Sequence, residues 1–266
     1  MTVTLGAARI TLDDLVAVAR DGASVALAPE VAPRLAAARA VVERLAHAGA
    51  PIYGVNSALG ANVGEPIAVA DLESFQASAI RARAVGVGAP YDAASVRAML
   101  FARAASLAVG GTGVSPGVVA ALVALLNARV HPRVPRHGSI GVADLPQLSH
   151  LALPLIGEGE AEVAGTVMSG ADALASAGLA PLRLGARDAL ALISANSASV
   201  GRAALVLRDA CALLEQWNAA VALSYEGFRA NLSPLDARVI AARPAPGQTV
   251  RRFGRSYAMS LLPDPG

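Results

Sequence analysis

The stretch Ala186-Arg-Asp-Ala-Leu-Ala-Leu-Ile-Ser-Ala-Asn-Ser-Ala-Ser-Val-Gly-Arg-Ala-Ala-Leu-Val-Leu-Arg-Asp-Ala-Cys-Ala-Leu-Leu-Glu-Gln-Trp-Asn-Ala-Ala-Val-Ala-Leu-Ser-Tyr-Glu-Gly-Phe228 decides the fold. It holds no proline, its only glycines are Gly201 and Gly227, and alanine and leucine dominate while charges are sparse. The pattern predicts one or two long helices. A helix well beyond about 25 residues and apolar almost all round has to be enclosed by other helices. One chain of 266 residues can hardly supply enough of them, so a multi-chain helical bundle is expected.

Upstream, helical patterns recur. Thr11-Leu-Asp-Asp reads as an N-cap and an acidic first turn ahead of Leu15, Val16 and Val18. A second helix is expected from about Pro29 to Ala48, with Leu35, Val41, Val42 and Leu45 inward and Arg34, Arg39, Glu43 and Arg44 in water. Others are expected from Asp71 to Ala84, from Asp92 to Val109 and from Ser115 to Arg129, the last opened by a serine N-cap and a proline. Two Gly-rich loops break the pattern, one from Ile52 to Gly64 and one from Gly138 to Asp144. Only Gly157-Glu-Gly-Glu-Ala-Glu-Val-Ala-Gly-Thr-Val167 alternates like a hairpin, which puts Glu158, Glu160 and Glu162 on one solvated face. The tail from Pro244 to Gly266 reads as loop.

Composition narrows the function classes. The chain is 55% hydrophobic and 16% charged, enough for a sizeable core and too apolar for a disordered segment. Basic residues number 22, all arginine, against 20 acidic ones, and the only adjacent pair is Arg251-Arg252. No basic stripe follows, so nucleic acid is not an expected partner. The lone Cys211 excludes an intrachain disulfide and a cysteine metal cluster and reads as a small buried hydrophobe. His47, His131, His137 and His150 have no metal-ligand spacing, so no metal is expected. Met-Thr-Val-Thr-Leu-Gly6 lacks the features of a signal peptide, which points to the cytoplasm. The charge-free run from Ala104 to Ala128 is broken by Gly110-Gly-Thr-Gly-Val-Ser-Pro-Gly117, so it reads as core and not as a membrane span.

The segments Tyr53-Gly-Val-Asn-Ser-Ala-Leu-Gly60, Gly138-Ser-Ile-Gly-Val-Ala-Asp-Leu-Pro-Gln-Leu-Ser-His150, Leu155-Ile-Gly-Glu-Gly159, Ser233-Pro-Leu-Asp-Ala-Arg238 and Ala242-Arg-Pro-Ala-Pro-Gly-Gln248 follow one another in this order. In identity and spacing they resemble the N-terminal half of the histidine, phenylalanine and tyrosine ammonia-lyase family. The resemblance implies a mainly α fold: half of an ammonia-lyase-like helical bundle, with a small loop-rich N-terminal part and a short β-hairpin. Residues 1–185 would carry the active-site loops and residues 186–266 the long bundle helices and the tail.

In that family an Ala-Ser-Gly tripeptide cyclises into a methylidene-imidazolone, the electrophile of the reaction. Here Gly141-Val142-Ala143 runs straight into Asp144, so the serine is gone and the loop is one residue shorter. The resemblance therefore implies that no imidazolone forms and that no cofactor is used. Arg83, in Ala82-Arg-Ala-Val-Gly86, stands where the family has a histidine, and Ser194, in Ile193-Ser-Ala-Asn196, where it has an asparagine. Tyr53 matches the family's general base. A phenol with a pKa of about 10 needs nearby donors or cations to act near neutrality, and Arg83 is the cation expected beside it.

The candidate site is accordingly Tyr53 as acid/base, with Asn56, Arg83, Ser194 and Asn196 around a small-molecule substrate. Gly141, Val142, Ala143 and Asp144 form the inner loop that replaces the imidazolone. The competing structural roles are a Tyr53 that only packs, an Asn56 and a Ser57 that hold a turn, and a His150 satisfied in the core. The expected activity is elimination, addition, isomerisation or cyclisation by an imidazolone-independent subunit of a split, heteromeric lyase, in a homo- or hetero-oligomer in which the chain associates with itself or with a C-terminal-half partner. The alternative is a non-catalytic subunit that completes a partner's bundle.

Overall fold

The computed structural model of the protein describes residues 1–47, 50–242, 249–253 and 256–260. Two compact units divide the chain, Met1–Leu205 and Val206–Gly266. The first opens with β1 (Thr2–Leu5), α1 (Leu12–Ala19) and β2 (Ser24–Leu27), the two strands pairing in parallel. Next come α2 (Val31–Ala46), α3 (Leu72–Arg81), β3 (Val87–Pro90), α4 (Ala93–Ala108) and α5 (Pro116–Ala128). Then follow β4 (His131–Pro132), β5 (Pro135–His137), α6 (Leu145–Ala152), β6 (Glu160–Val163), β7 (Thr166–Ser169), α7 (Gly170–Ser176), α8 (Asp188–Ile193) and α9 (Ser197–Gly227). The boundary between the units falls within α9, and the second unit goes on with α10 (Ala237–Ala242), β8 (Thr249–Phe253) and β9 (Ser256–Ser260). The fold is mainly α, as expected.

Local chemistry explains the elements that sequence predicts. At α1, the Thr11 hydroxyl accepts from the Asp14 amide at 3.1 Å while the Asp14 carboxylate accepts from the Thr11 amide at 2.9 Å, a reciprocal cap that satisfies two donors. Asp92 caps α4 without the reciprocal bond, accepting from the Ser95 amide at 2.8 Å. Helix α4 is the spine of the unit: Met99, Leu100, Phe101 and Leu107 are fully buried, with α1 and α5 packed against it. Gly201 lets the first turns of α9 approach this spine, since a Cβ there would stand 2.7 Å from the Ala98 carbonyl. By length and composition the segment Asp188–Gly227 is apolar enough to cross a membrane. Its first part, through Leu192, Ile193, Ala198 and Leu205, belongs to the protein core instead.

Several expectations need correction. The buried stripe of α2 is Val31, Leu35, Val42 and Ala46, while Val41 and Leu45 are exposed. The helix is rotated because Arg34 and Arg39 turn inward: Arg34 donates to the Ala108 carbonyl at 2.7 Å, and Arg39 donates to the Ala186 carbonyl at 2.7 Å and reaches Asp188. The β6–β7 hairpin is present, but it has company. β4 extends it to three strands, β3 pairs with β5, and β1 with β2. Glu158 lies outside the hairpin and pairs with Arg81 at 2.5 Å, so the three glutamates do not share one face. Cys211 is half-buried, not core. The tail contains the antiparallel pair β8–β9, and residues 244–248, 254–255 and 261–266, also read as loop, lie outside the described residues, as does Ala48.

Candidate functional site

Tyr53 sits in a loop whose course is fixed from beneath. The Asn56 side chain is buried, and its Oδ1 accepts from the Ile52 amide at 2.7 Å while Nδ2 donates to the Ala50 carbonyl at 3.1 Å. Its amide is thus engaged in holding the turn. Gly54 has φ +71° and lies against α8, where a Cβ would stand 2.2 Å from a Leu190 methyl. Both the left-handed backbone and the close approach require glycine there. Ser57 is buried below it. Tyr53 itself is 46% exposed, and its hydroxyl has no hydrogen-bond partner among the described residues.

The inner loop attaches close by. Ser139 Oγ accepts from the Gly141 amide and donates to the Ala143 carbonyl, both at 3.3 Å, and Ala143 takes a left-handed φ of 56°. Asp144 then turns inward. Its amide donates to the Ala195 carbonyl at 2.8 Å, and its buried carboxylate accepts from the amide and the hydroxyl of Ser199, each at 2.7 Å. An anionic acceptor at the first turn of α9 satisfies donors that the helix leaves open and suits its dipole. Ile140 and Val142 project outward, exposed.

Helix α8 is therefore the common platform, with the Tyr53 loop on Leu190 and the inner loop on the junction that follows. Ser194 and Asn196 are exposed in that junction. Three groups that sequence reading did not single out hold the platform. Asp188, fully buried, accepts from the Ser115 amide at 2.8 Å, the Ser115 hydroxyl at 2.7 Å, the Gly185 amide at 2.8 Å and Arg39 at 3.3 Å. Burial pushes its carboxyl above the ordinary carboxylate range, opposed by the bonds from Ser115 and the charge of Arg39. Gln76 of α3 accepts from the Ala189 amide at 2.9 Å. Arg103 of α4 donates to the Ala191 carbonyl, and burial lowers its pKa to about 10. The signal was an aspartate opening an apolar run, and its arginine partner lies too far along the chain for periodicity to link them.

Arg83 is near the inner loop through backbone, not through its charge. A Cβ on Gly138 would lie 3.1 Å from Gly86 Cα, and the Gly86 amide donates to His150 Nε2 at 3.1 Å. The Arg83 guanidinium, however, donates to the Ala79 carbonyl one turn back, at 2.9 Å. It makes no hydrogen bond with Tyr53. His150 is a satisfied histidine, and burial holds its pKa below the ordinary value. Among the described residues, no group of three or more His, Cys, Asp or Glu could hold a metal ion.

The model of the aromatic amino acid lyase family matches residues 10–251. The chain belongs to the aromatic amino acid lyase family. Among its relatives, a histidine ammonia-lyase of Sorangium cellulosum is 44% identical over 243 residues, covering 90% of this chain and 47% of the relative. One of Gloeobacter violaceus is 41% identical over 98% of this chain and 50% of the relative. Similar solved structures include ergothionase from Treponema denticola, with a TM-score of 0.87 and 29% identity over 93% of this chain and 50% of that one. The phenylalanine aminomutase of Pantoea agglomerans gives a TM-score of 0.88 and 32% identity over 93% of this chain and 48% of that one. The chain spans about half the length of the curated relatives it matches.

The imidazolone of this lyase family does not fit the inner loop. Its formation needs a side-chain hydroxyl to eliminate at the centre of the tripeptide, and Val142 and Ala143 carry none. The loop's own serine, Ser139, has its hydroxyl bonded across the turn.

Proposed function

We propose that the chain is one subunit of a split, heteromeric, ammonia-lyase-like enzyme that works without an imidazolone. Tyr53 serves as acid/base for elimination, addition, isomerisation or cyclisation of a small molecule whose reaction needs no protein electrophile. The observation that carries the reading is the pairing of two loops on one platform. An accessible, unpartnered Tyr53 hydroxyl belongs to a loop whose Gly54 lies against α8, and at the α8–α9 junction the inner loop keeps its anchoring aspartate while lacking the serine. Ser194 and Asn196 offer polar groups to a substrate from the α8–α9 junction, and Arg83 offers charge once its side chain leaves Ala79. Asn56 contributes indirectly by fixing the turn.

A C-terminal-half partner is favoured by the surface of α9. Leu207, Leu213, Trp217 and Leu223 are all exposed in this chain, more large apolar side chains than a single free helix carries comfortably. We place the assembly in the cytoplasm. The fold of Arg83 back onto Ala79 favours a second reading, a non-catalytic subunit that completes the partner's bundle. Tyr53→Phe in the native assembly separates the two. An acid/base role predicts a loss of about 10²–10⁴-fold in turnover with the fold intact, whereas full activity in the variant supports the scaffold reading.

A further inference from the structure

Away from both loops, two cavities meet at Ala93 and His131. The larger, about 300 Å³, lies between the end of α1, the start of α4 and the end of α5, and Arg20, Asp21, Arg97 and Arg129 line it. The smaller, about 180 Å³, is walled by Tyr91, Pro132, Arg133 and Glu162 among others.

The cations of the larger cavity are built in. Arg97 is buried, its Nε and Nη2 donating to the Val18 carbonyl at 2.9 and 2.7 Å and its Nη1 to the Leu126 carbonyl at 2.8 Å. These two carbonyls, near the ends of α1 and α5, fix the guanidinium without supplying a carboxylate. Nη1 and Nη2 each keep one N–H for another acceptor. Arg129 takes the left-handed cap of α5, and its Nη2 would be 2.9 Å from a Cβ on Gly22. Its guanidinium has no hydrogen bond or ion pair among the described residues. The two charges feel each other: burial, then Arg129, lowers the Arg97 pKa. His131 stands at the junction with Nε2 shielded from solvent and without a partner. Burial and the charge of Arg97 hold its ring below its ordinary pKa, against Glu162. Asp21 is the one carboxylate in the larger cavity's lining.

We propose that the larger cavity binds a small oxyanion, a phosphate or a carboxylate, between Arg97 and Arg129 with His131 at its edge. Three features support it. A prefixed guanidinium with spare donors loses little entropy on binding, and its planar fork matches two anionic oxygens. An anion relieves the repulsion between the two arginines. The second cavity gives the ligand's body room beside Tyr91 and Pro132. This site is separate from the Tyr53 loop and does not depend on the lyase reading.

The test is calorimetric titration of the native assembly with sodium phosphate and, in a parallel arm, sodium acetate, at constant ionic strength set by chloride. Phosphate, acetate or both should bind saturably, at one site per chain, and the tighter arm identifies the anion class. Arg129→Gln should weaken that binding about tenfold or more. Arg44→Gln, which removes the same charge from the exposed end of α2, should leave it unchanged. The proposal is overturned if neither anion saturates, if Arg129→Gln binds as well as the parent, or if both variants lose affinity equally. Thermal unfolding of each variant without anion shows whether a loss reflects damage to the fold.

Discussion

Replacing Asp144 by alanine should release the inner loop from the long helix. The carboxylate makes two bonds of 2.7 Å to Ser199, one to its amide and one to its hydroxyl. Each bond to a charged group contributes about 1.5–3 kcal/mol. The two are not additive, because Ser199 is exposed and water replaces part of what is lost. Asp144→Ala should therefore cost about 3 kcal/mol, or on the order of 6–12 °C in Tm for a unit of this size. Asp144→Asn keeps one acceptor and should cost roughly half of that. Ser199→Ala removes the hydroxyl bond alone, so the double-mutant cycle with Asp144→Ala should show coupling of about 1 kcal/mol. The assay is thermal unfolding of the native assembly together with limited proteolysis, where cleavage near Ile140 and Val142 should accelerate in Asp144→Ala. A cost below about 1 kcal/mol with unchanged cleavage would refute the reasoning, since the loop would then be held by something other than α9.

Gly201→Ala sets helix propensity against packing: alanine favours the helix by about 1 kcal/mol, but its Cβ would stand 2.7 Å from the Ala98 carbonyl. Overpacking typically costs about 1–3 kcal/mol, so urea unfolding should show net destabilisation, and a stabilised variant would contradict the α4–α9 contact. Acid should also weaken the fold through His150. Burial lowers its folded pKa and its Nε2 accepts from the Gly86 amide, so the folded state prefers the neutral ring. That contribution is complete above the unfolded value of about 6.5 and is lost as pH falls through it towards the lower folded value. The slope of Tm against pH just below this point should flatten in His150→Gln, and an unchanged slope would remove His150 from the account.

What sequence could and could not predict follows from the range of the interactions. Helix starts are local, so Thr11, Asp92 and the Ser115-Pro116 pair place three of them nearly to the residue, although the Ser115 hydroxyl donates to Asp188 and does not cap α5. The hairpin was visible because β6 and β7 are adjacent in the chain. The remaining strands were not, since β1 and β2 pair across a whole helix and β3 and β5 across two. The α2 stripe was misread because periodicity assigns arginine to water, while Arg39 answers a buried carboxylate 149 residues away. At the candidate site, motif order located the two loops and the α8–α9 junction. It left Asn56 open between a substrate contact and the turn that it holds, and it did not reveal that Arg83 folds back on α3 or that Asp188, Gln76 and Arg103 fix the platform. The platform bonds join distant segments, and the Arg83 bond, though only one turn long, depends on a side-chain conformation that motif order does not specify.

The central claim, family membership without the family's electrophile, is tested most directly by the intact mass of the protein purified from its native host. The account predicts the encoded mass, because Val142 and Ala143 have no hydroxyl to eliminate. A deficit of two water molecules, located by peptide mapping to the segment from Gly138 to Asp144, would contradict it.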